Sequence, residues 1–212
     1  ASTSLRKQEG NYFSTYFNYS LDLDHRDQSY QTTDGTRYTF FQELPLISND
    51  KVISNSFEVT RYKSMPSDMI AKLSAYGQNI QSISGDDVRI SKRAFIPNNK
   101  LRGFEQGKVG PTDNSTFIGG NYVASLNASL TMPKLLPTFQ NTDFSLFVDA
   151  ANIWGVDYSS NINDSGKIRS ATGLSVDVLT PVGPMNFSWS IPMTKADTDK
   201  TESFRFNIGT SF

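Results

Sequence analysis

The sequence contains no cysteine and only one histidine, His25. Without thiols there can be no disulfide framework, thiolate metal site or cysteine nucleophile. His25 lies among Asp22, Asp24 and Asp27 at a turn, where charged side chains are normally solvated; calcium would require several oxygen ligands on a defined loop. One histidine at the end of an alternating run also supplies no Ser-His-Asp set. There is no phosphate-cradling Gly-Lys-Ser/Thr loop. The formal net charge is -1 and the basic residues are scattered, so nucleic acid is not indicated as a partner. Neither enzymatic activity nor a cofactor or metal is expected. No run approaches the roughly 18 consecutive apolar residues of a membrane helix, which excludes a helical membrane protein. A β-barrel stays open, because only alternate residues of its strands face lipid. The first residues from Ala1 have neither the basic start nor the apolar core of a signal peptide, so an exported protein would show here a mature or truncated chain.

What the sequence does contain is aromatic residues and alternation. Phe and Tyr number 15 and 9 in 212 residues, against a mean hydropathy of -0.42. Strands and the water–lipid girdles of barrels both favour such residues. Nine alternating segments, separated by clusters of Asp, Asn, Ser, Gly and Pro, read as an antiparallel meander. They are expected at about Tyr12 to Asp24, Thr36 to Leu44, Val52 to Tyr62, Asp68 to Asn79, Gly119 to Met132, Thr142 to Trp154, Ile168 to Leu179, Met185 to Ile191 and Phe204 to Phe212. The fifth is the clearest, with Tyr122, Ala124, Leu126, Ala128, Leu130 and Met132 opposite Asn121, Ser125, Asn127, Ser129 and Thr131. In the last, Phe204, Phe206, Ile208, Thr210 and Phe212 alternate with Arg205, Asn207, Gly209 and Ser211. Ending a sheet on a large aromatic suits a transmembrane barrel, which places such rings at its boundaries.

The connections at Ser64 to Ser67 and Pro181 to Pro184 are short and fall on the side of the carboxyl terminus. Those at Ser82 to Ile118, Gly155 to Lys167 and Pro192 to Thr201 are longer and fall on the other, the loop asymmetry of outer-membrane barrels. A soluble sandwich also alternates. Its second faces would have to be core, yet here they are rows of Asn, Ser and Thr. The fold class expected is therefore all-β: a single-domain, antiparallel transmembrane barrel of about nine meander strands. An odd count, where single-chain bacterial barrels are even and closed, marks it as partial, either a fragment or a unit closing with another chain.

The longest insertion carries Phe95, Ile96, Leu101, Phe104 and Val109, apolar side chains that a solvated external loop has no use for. A loop folded into the lumen would bury them. Arg102 would then need a carboxylate. Asp149, on the polar face of the sixth strand, is the leading candidate; Glu105, Asp177 and external water are alternatives.

Several of these segments resemble the BamA family of outer-membrane assembly factors. Leu101-Arg102-Gly103-Phe104 is similar to that family's Val/Ile-Arg-Gly-Phe motif, with Gly110-Pro111 following as expected. Gly119-Gly120-Asn121, Phe147 to Trp154, Thr180 to Met185 and Asp34 to Arg37 resemble further family segments, and Phe204-Arg205-Phe206-Asn207-Ile208-Gly209 resembles its terminal Phe-x-Phe-Asn-Ile-Gly. The resemblance implies an insertase in the bacterial outer membrane, opening a seam at its last strand to nascent outer-membrane proteins. Phe204, Phe206, Asn207, Ile208, Gly209 and Phe212 would form one side of that seam. The lumenal loop motif would pair with acidic residues on two strands; Asp149 matches one, whereas the preceding strand offers Asn127 or Ser129 in place of the other. The family's periplasmic POTRA domains and early barrel strands have no counterpart in residues 1–212, and assembly-complex lipoproteins would act through that missing part. A two-partner secretion transporter, which shares the loop motif, and a passive pore are the rival readings.

Overall fold

In a computed structural model, the described residues are 6, 8–29, 31–133, 135–136, 138, 141–159, 162, 166–181 and 183–209. Nine long strands form one antiparallel sheet in chain order: β1 (Ser14–Asp24), β2 (Gly35–Ser48), β3 (Val52–Ser64), β4 (Ile70–Ser82), β7 (Tyr122–Met132), β8 (Thr142–Trp154), β9 (Arg169–Thr180), β10 (Gly183–Thr194) and β11 (Phe204–Ile208). Between β4 and β7, two short strands, β5 (Thr112–Asp113) and β6 (Thr116–Phe117), make a small hairpin. Each long strand pairs only with its sequence neighbours, and among the described residues β1 and β11 are free edges, so the barrel is partial.

Burial on this sheet is inverted relative to a soluble one. Leu126 and Leu146 are 59% and 53% exposed, and Leu73, Phe57, Trp189 and Ile191 stand out on the same convex surface. On the concave face Ser125, Ser145, Ser175, Ser188 and Ser190 are buried. With strand period two, an apolar outer face and a polar inner one are what a lipid-facing wall requires. Aromatic pairs lie along the outer surface, with Tyr122 stacked on Trp154 at 5.7 Å and Phe187 on Phe206 at 4.9 Å.

Several strand ends differ from the sequence reading, two of them at a proline. β2 continues beyond Leu44 through Pro45 to Ser48, and β10 continues beyond Ile191 through Pro192 to Thr194. Both cross a register shift, with Thr15 and Tyr16 facing Ile47 and Pro45, and Pro192 and Thr194 facing Ala171 and Ser170. The extra residue of a bulge takes up the position at which proline lacks its ladder N–H, so the strand resumes. The fifth alternating segment starts at Tyr122 instead of Gly119, because Gly120 bridges to Ala94 of the long insertion. β11 ends at Ile208, and Phe212 lies outside the described residues.

The segments 83–121, 155–168 and 195–203 share one rim, while 65–69, 181–182 and the end of β11 share the other, as the loop lengths imply. The short turn 49–51 also falls on the long-loop rim, and the connections 25–34 and 133–141 fall on the other, so the asymmetry is carried by 83–121 and 155–168. The segment 83–121 enters the concave side. Val88, Ala94, Ile96, Leu101, Phe104 and Val109 pack there against Val52, Ile80, Val123, Ala151, Ile153 and Ala171. The apolar core thus lies between this loop and the inner wall, not between two sheets.

A charge on the outer surface should be costly in a bilayer. Leu146→Arg, flanked across the sheet by Leu130 and Leu174, is expected to destabilise the lipid-reconstituted protein by about 2–4 kcal/mol. Ser54→Arg, on the concave side of β3, should cost much less; denaturant unfolding in vesicles gives both values.

Candidate functional site

The inserted loop is held by polar contacts at its apex. Asp149, fully buried on the inner face of β8, accepts from Arg102 through the backbone N–H and Nε to Oδ2 at 3.0 and 2.7 Å, and through Nη2 to Oδ1 at 2.7 Å. The guanidinium also lies over the Phe147 ring, 3.4 Å from its centroid. Fork geometry of this kind suits arginine and not lysine, because two parallel donors meet two carboxylate oxygens. Glu105 is exposed, with its N–H on the Lys200 carbonyl, and Asp177 accepts from Asn186, so neither takes the Arg102 side chain.

Asn127 of β7 stands directly across from Asp149. Its amide donates to Oδ1 of Asp149 at 2.9 Å and to the Lys100 carbonyl at 2.8 Å. Where the resemblance implies a second acid, this chain has an amide that holds the first acid and the loop backbone together. A second carboxylate would compete for Arg102; the amide instead completes the acceptor set of Asp149.

Glycine is required beside the arginine. Gly103 has φ 86°, and a Cβ there would approach Ala171 Cβ at 3.0 Å and Ser190 Cβ at 3.2 Å. Phe104 follows, 1% exposed, and Leu101 precedes it, also buried. The motif therefore alternates polar anchor and apolar plug.

Further ion pairs hold the loop or the segment beside it, and none is evident from the sequence. Arg93, buried, pairs with Asp157 of the 155–168 segment, which also accepts from Val88 N at 3.1 Å and Asn121 Nδ2 at 2.8 Å. Lys100 pairs with Glu58 of β3. Arg169 of β9 donates to Asp199 of the 195–203 segment at 2.9 Å, and Asp199 also accepts from Gly110 N at 3.1 Å. At φ 106°, Gly110 too has no room for a Cβ, which would meet Ile153 at 2.4 Å. These partners are far apart in sequence, so local spacing gives no signal for them. The only available hint is a surplus of charge inside segments otherwise apolar enough to be core.

The terminal-strand residues are arranged on both faces. Phe204, Phe206 and Ile208 are exposed on the outer surface, and Asn207 stands opposite Asn186 of β10. Gly209, at φ 115°, follows the strand and donates its N–H to the Pro184 carbonyl at 2.9 Å. The described residues contain no cluster of three or more His, Cys, Asp or Glu placed to hold a metal.

Removing one partner of a buried pair strands the other. Asp149→Ala is expected to cost about 3–5 kcal/mol and Asn127→Ala about 1–3 kcal/mol, read as shifts of the denaturant midpoint. A pH test applies to the loop Asp157. Burial pushes its carboxyl up, but Val88 N–H, Asn121 and the Arg93 guanidinium together hold it below the ordinary carboxylate range. Its stabilising contribution is thus complete above the unfolded carboxylate pKa of about 4 and is lost as pH falls through the lower folded value. Hydrogen exchange at residues 88–93, corrected for intrinsic rates, should accelerate only in that acid range, and Asp157→Asn should flatten the profile.

Comparison with known proteins identifies the family. An Omp85 superfamily domain matches residues 2–212. The outer membrane protein assembly factor BamA of Neisseria meningitidis is 29% identical over 53% of this chain and 17% of its own length. BamA of Nitratidesulfovibrio vulgaris is 22% identical over 100% of the chain and 27% of its own length, and a SAM50-like protein of Schizosaccharomyces pombe 22% identical over 100% and 47%. The crystal structure of BamA from Haemophilus ducreyi lacking POTRA domains 1-3 superposes with a TM-score of 0.80 at 22% identity, over 90% of this chain and 41% of that one. The chain spans less than half the length of each of these relatives, and it belongs to the Omp85 superfamily.

Proposed function

We propose that this chain is the carboxyl-terminal part of a bacterial outer-membrane insertase, a longer protein whose periplasmic domains and earlier strands lie outside residues 1–212. The observation that carries the proposal is the Arg102–Asp149 pair. It fastens a buried Arg-Gly-Phe loop inside a sheet whose outer face is apolar. A passive pore gains nothing from filling its lumen this way, whereas a wall that must part locally without collapsing needs an internal support. The names of the two bacterial relatives, both outer membrane protein assembly factors, favour the same reading.

In the proposed mechanism β11 is the working edge. Among the described residues it is five residues long and hydrogen-bonded on one side only. A nascent outer-membrane strand pairs with an exposed backbone edge by β-augmentation, using main-chain bonds that any sequence can make. Gly209 ends the strand in a conformation that β-branched residues avoid, which keeps the seam short. The exposed Phe204, Phe206 and Trp189 present this edge to lipid, where the client strand must finish. Assembly lipoproteins would act on the periplasmic part.

The test is Arg102→Ala in the intact protein that carries this chain. The variant is expected to lower the amounts of many unrelated outer-membrane barrels together and to sensitise cells to envelope stress. Wild-type growth under that stress would remove the support for this reading; loss of one secreted protein, with other barrels unchanged, would assign the chain to a two-partner secretion transporter.

A further inference from the structure

The motif loop is tied to the terminal strand as well as to the wall at Asp149. Arg205 is the inward residue at the centre of β11's first half and is 8% exposed. Its Nη1 donates to the Asn98 carbonyl at 2.7 Å and its Nη2 to the Phe104 carbonyl, while Nε and Nη2 reach Oε2 of Glu202 at 3.0 and 2.9 Å. Those two carbonyls bracket the Arg102-Gly103 apex. The segment leading into β11 adds backbone contacts to the same stretch. Phe104 bridges Thr201, Glu105 N–H donates to the Lys200 carbonyl at 3.0 Å, and Glu202 N–H donates to the Gly103 carbonyl at 3.1 Å.

The consequence follows from how little else holds β11. Among the described residues it pairs with β10 only, from Met185 opposite Ile208 to Trp189 opposite Phe204, and its other edge is free. An edge strand this short opens readily, since the free energy of local opening tracks the number of bonds broken. Arg205 places charge-assisted bonds from the start of that strand onto the loop, and the loop is in turn anchored through Arg102 to Asp149 on β8, three strands away.

We propose that Arg205 is a latch through which the seating of the Arg-Gly-Phe loop controls the opening of the terminal strand. With the loop seated, both carbonyls are presented to the guanidinium and β11 is held to the sheet from inside. When the loop leaves Asp149, the carbonyls move, the guanidinium loses its two loop acceptors and keeps only Glu202, and β11 is left with its ladder to β10. Coupling of this kind is reciprocal: opening β11 must loosen the loop by the same factor. The inference rests on the proposed reading of β11 as a seam only for its use, because the coupling itself is a property of the folded chain. Arg205 is a positioning residue, acting on the seam through the loop.

Hydrogen exchange in the intact protein carrying this chain, held in lipid nanodiscs, tests it with three variants. Arg205→Gln should speed exchange of the 204–208 amides about ten-fold or more, together with those of 103–105. Arg205→Lys, which keeps charge and length but not the fork, should fall between Gln and wild type. Asp149→Asn does not touch β11, yet it should speed exchange at 204–208 as well; a merely structural Arg205 would not transmit this. Confinement of the Asp149→Asn effect to residues 98–109 would overturn the latch, as would unchanged exchange at 204–208 in Arg205→Gln. Insertion of a client barrel, assayed on the same samples, separates the two proposals: faster exchange with normal insertion keeps the latch and removes the seam reading.

Discussion

The Asp149 carboxylate is the interaction on which the remainder of the interior depends. It is fully buried, and burying an ion is costly unless its acceptor positions are filled. Four donors fill them here: the Arg102 N–H, Nε and Nη2, and the Asn127 amide. Two come from the charged side chain of the inserted loop, one from the loop backbone and one from the neighbouring strand. A carboxylate so satisfied dictates the register of the loop against the wall, because sliding the loop by one residue would replace Arg102 with Leu101 or Gly103 and leave the ion bare. Apolar packing alone would not be so selective, since Leu101, Phe104 and Ile96 could exchange pockets at modest cost.

An inverted sheet makes such polar anchoring necessary. Its apolar residues are committed to the outer surface, so the concave face offers mainly serine, threonine and asparagine, from which little hydrophobic free energy can be drawn. The loop supplies apolar side chains for the rim-side half of the lumen, and ion pairs at Asp157, Glu58 and Asp199 place it. Each pair joins the loop, or the segment beside it, to a different strand or connecting segment. At the far edge, Arg89 pairs with Asp50 and lies over Tyr12, and Lys92 lies over Tyr16. One insertion thus reaches both edges of the sheet and sets the span between them.

How much of this was legible in the sequence follows from the range of each signal. Strand alternation is local; in β8 the expected and observed limits coincide at Thr142 and Trp154, and in β7 they coincide at Met132 but not at the start. It misled at Pro45 and Pro192, because a bulge restores a strand that a missing N–H would otherwise end. The need of Arg102 for a carboxylate was legible too, since an arginine within an apolar insertion has few ways to be satisfied and Asp149 stood on a polar strand face. The donor role of Asn127 was not, because an amide where an acid is expected reads as a loss until the cross-strand register sets it against Asp149. The pairs Arg93–Asp157 and Arg205–Asn98 were beyond reach: their partners are 64 and 107 residues apart, and only the closed path of the loop brings them together.

That path also explains why the terminal strand can be short. A strand of five residues at a free edge would fray if its ladder to β10 were all that held it. The interior contacts of Arg205, Thr201 and Glu202 add bonds perpendicular to the ladder, so β11 is held against two surfaces, the neighbouring strand and the loop. Bonds of the first kind are lost one by one as a strand peels. Those of the second depend on a single rigid object and fail together if it moves. On the proposed latch, a short ladder backed by a seated loop would combine an edge that is closed at rest with one that opens over a narrow range of loop positions, which a longer ladder could not do without holding the edge closed throughout.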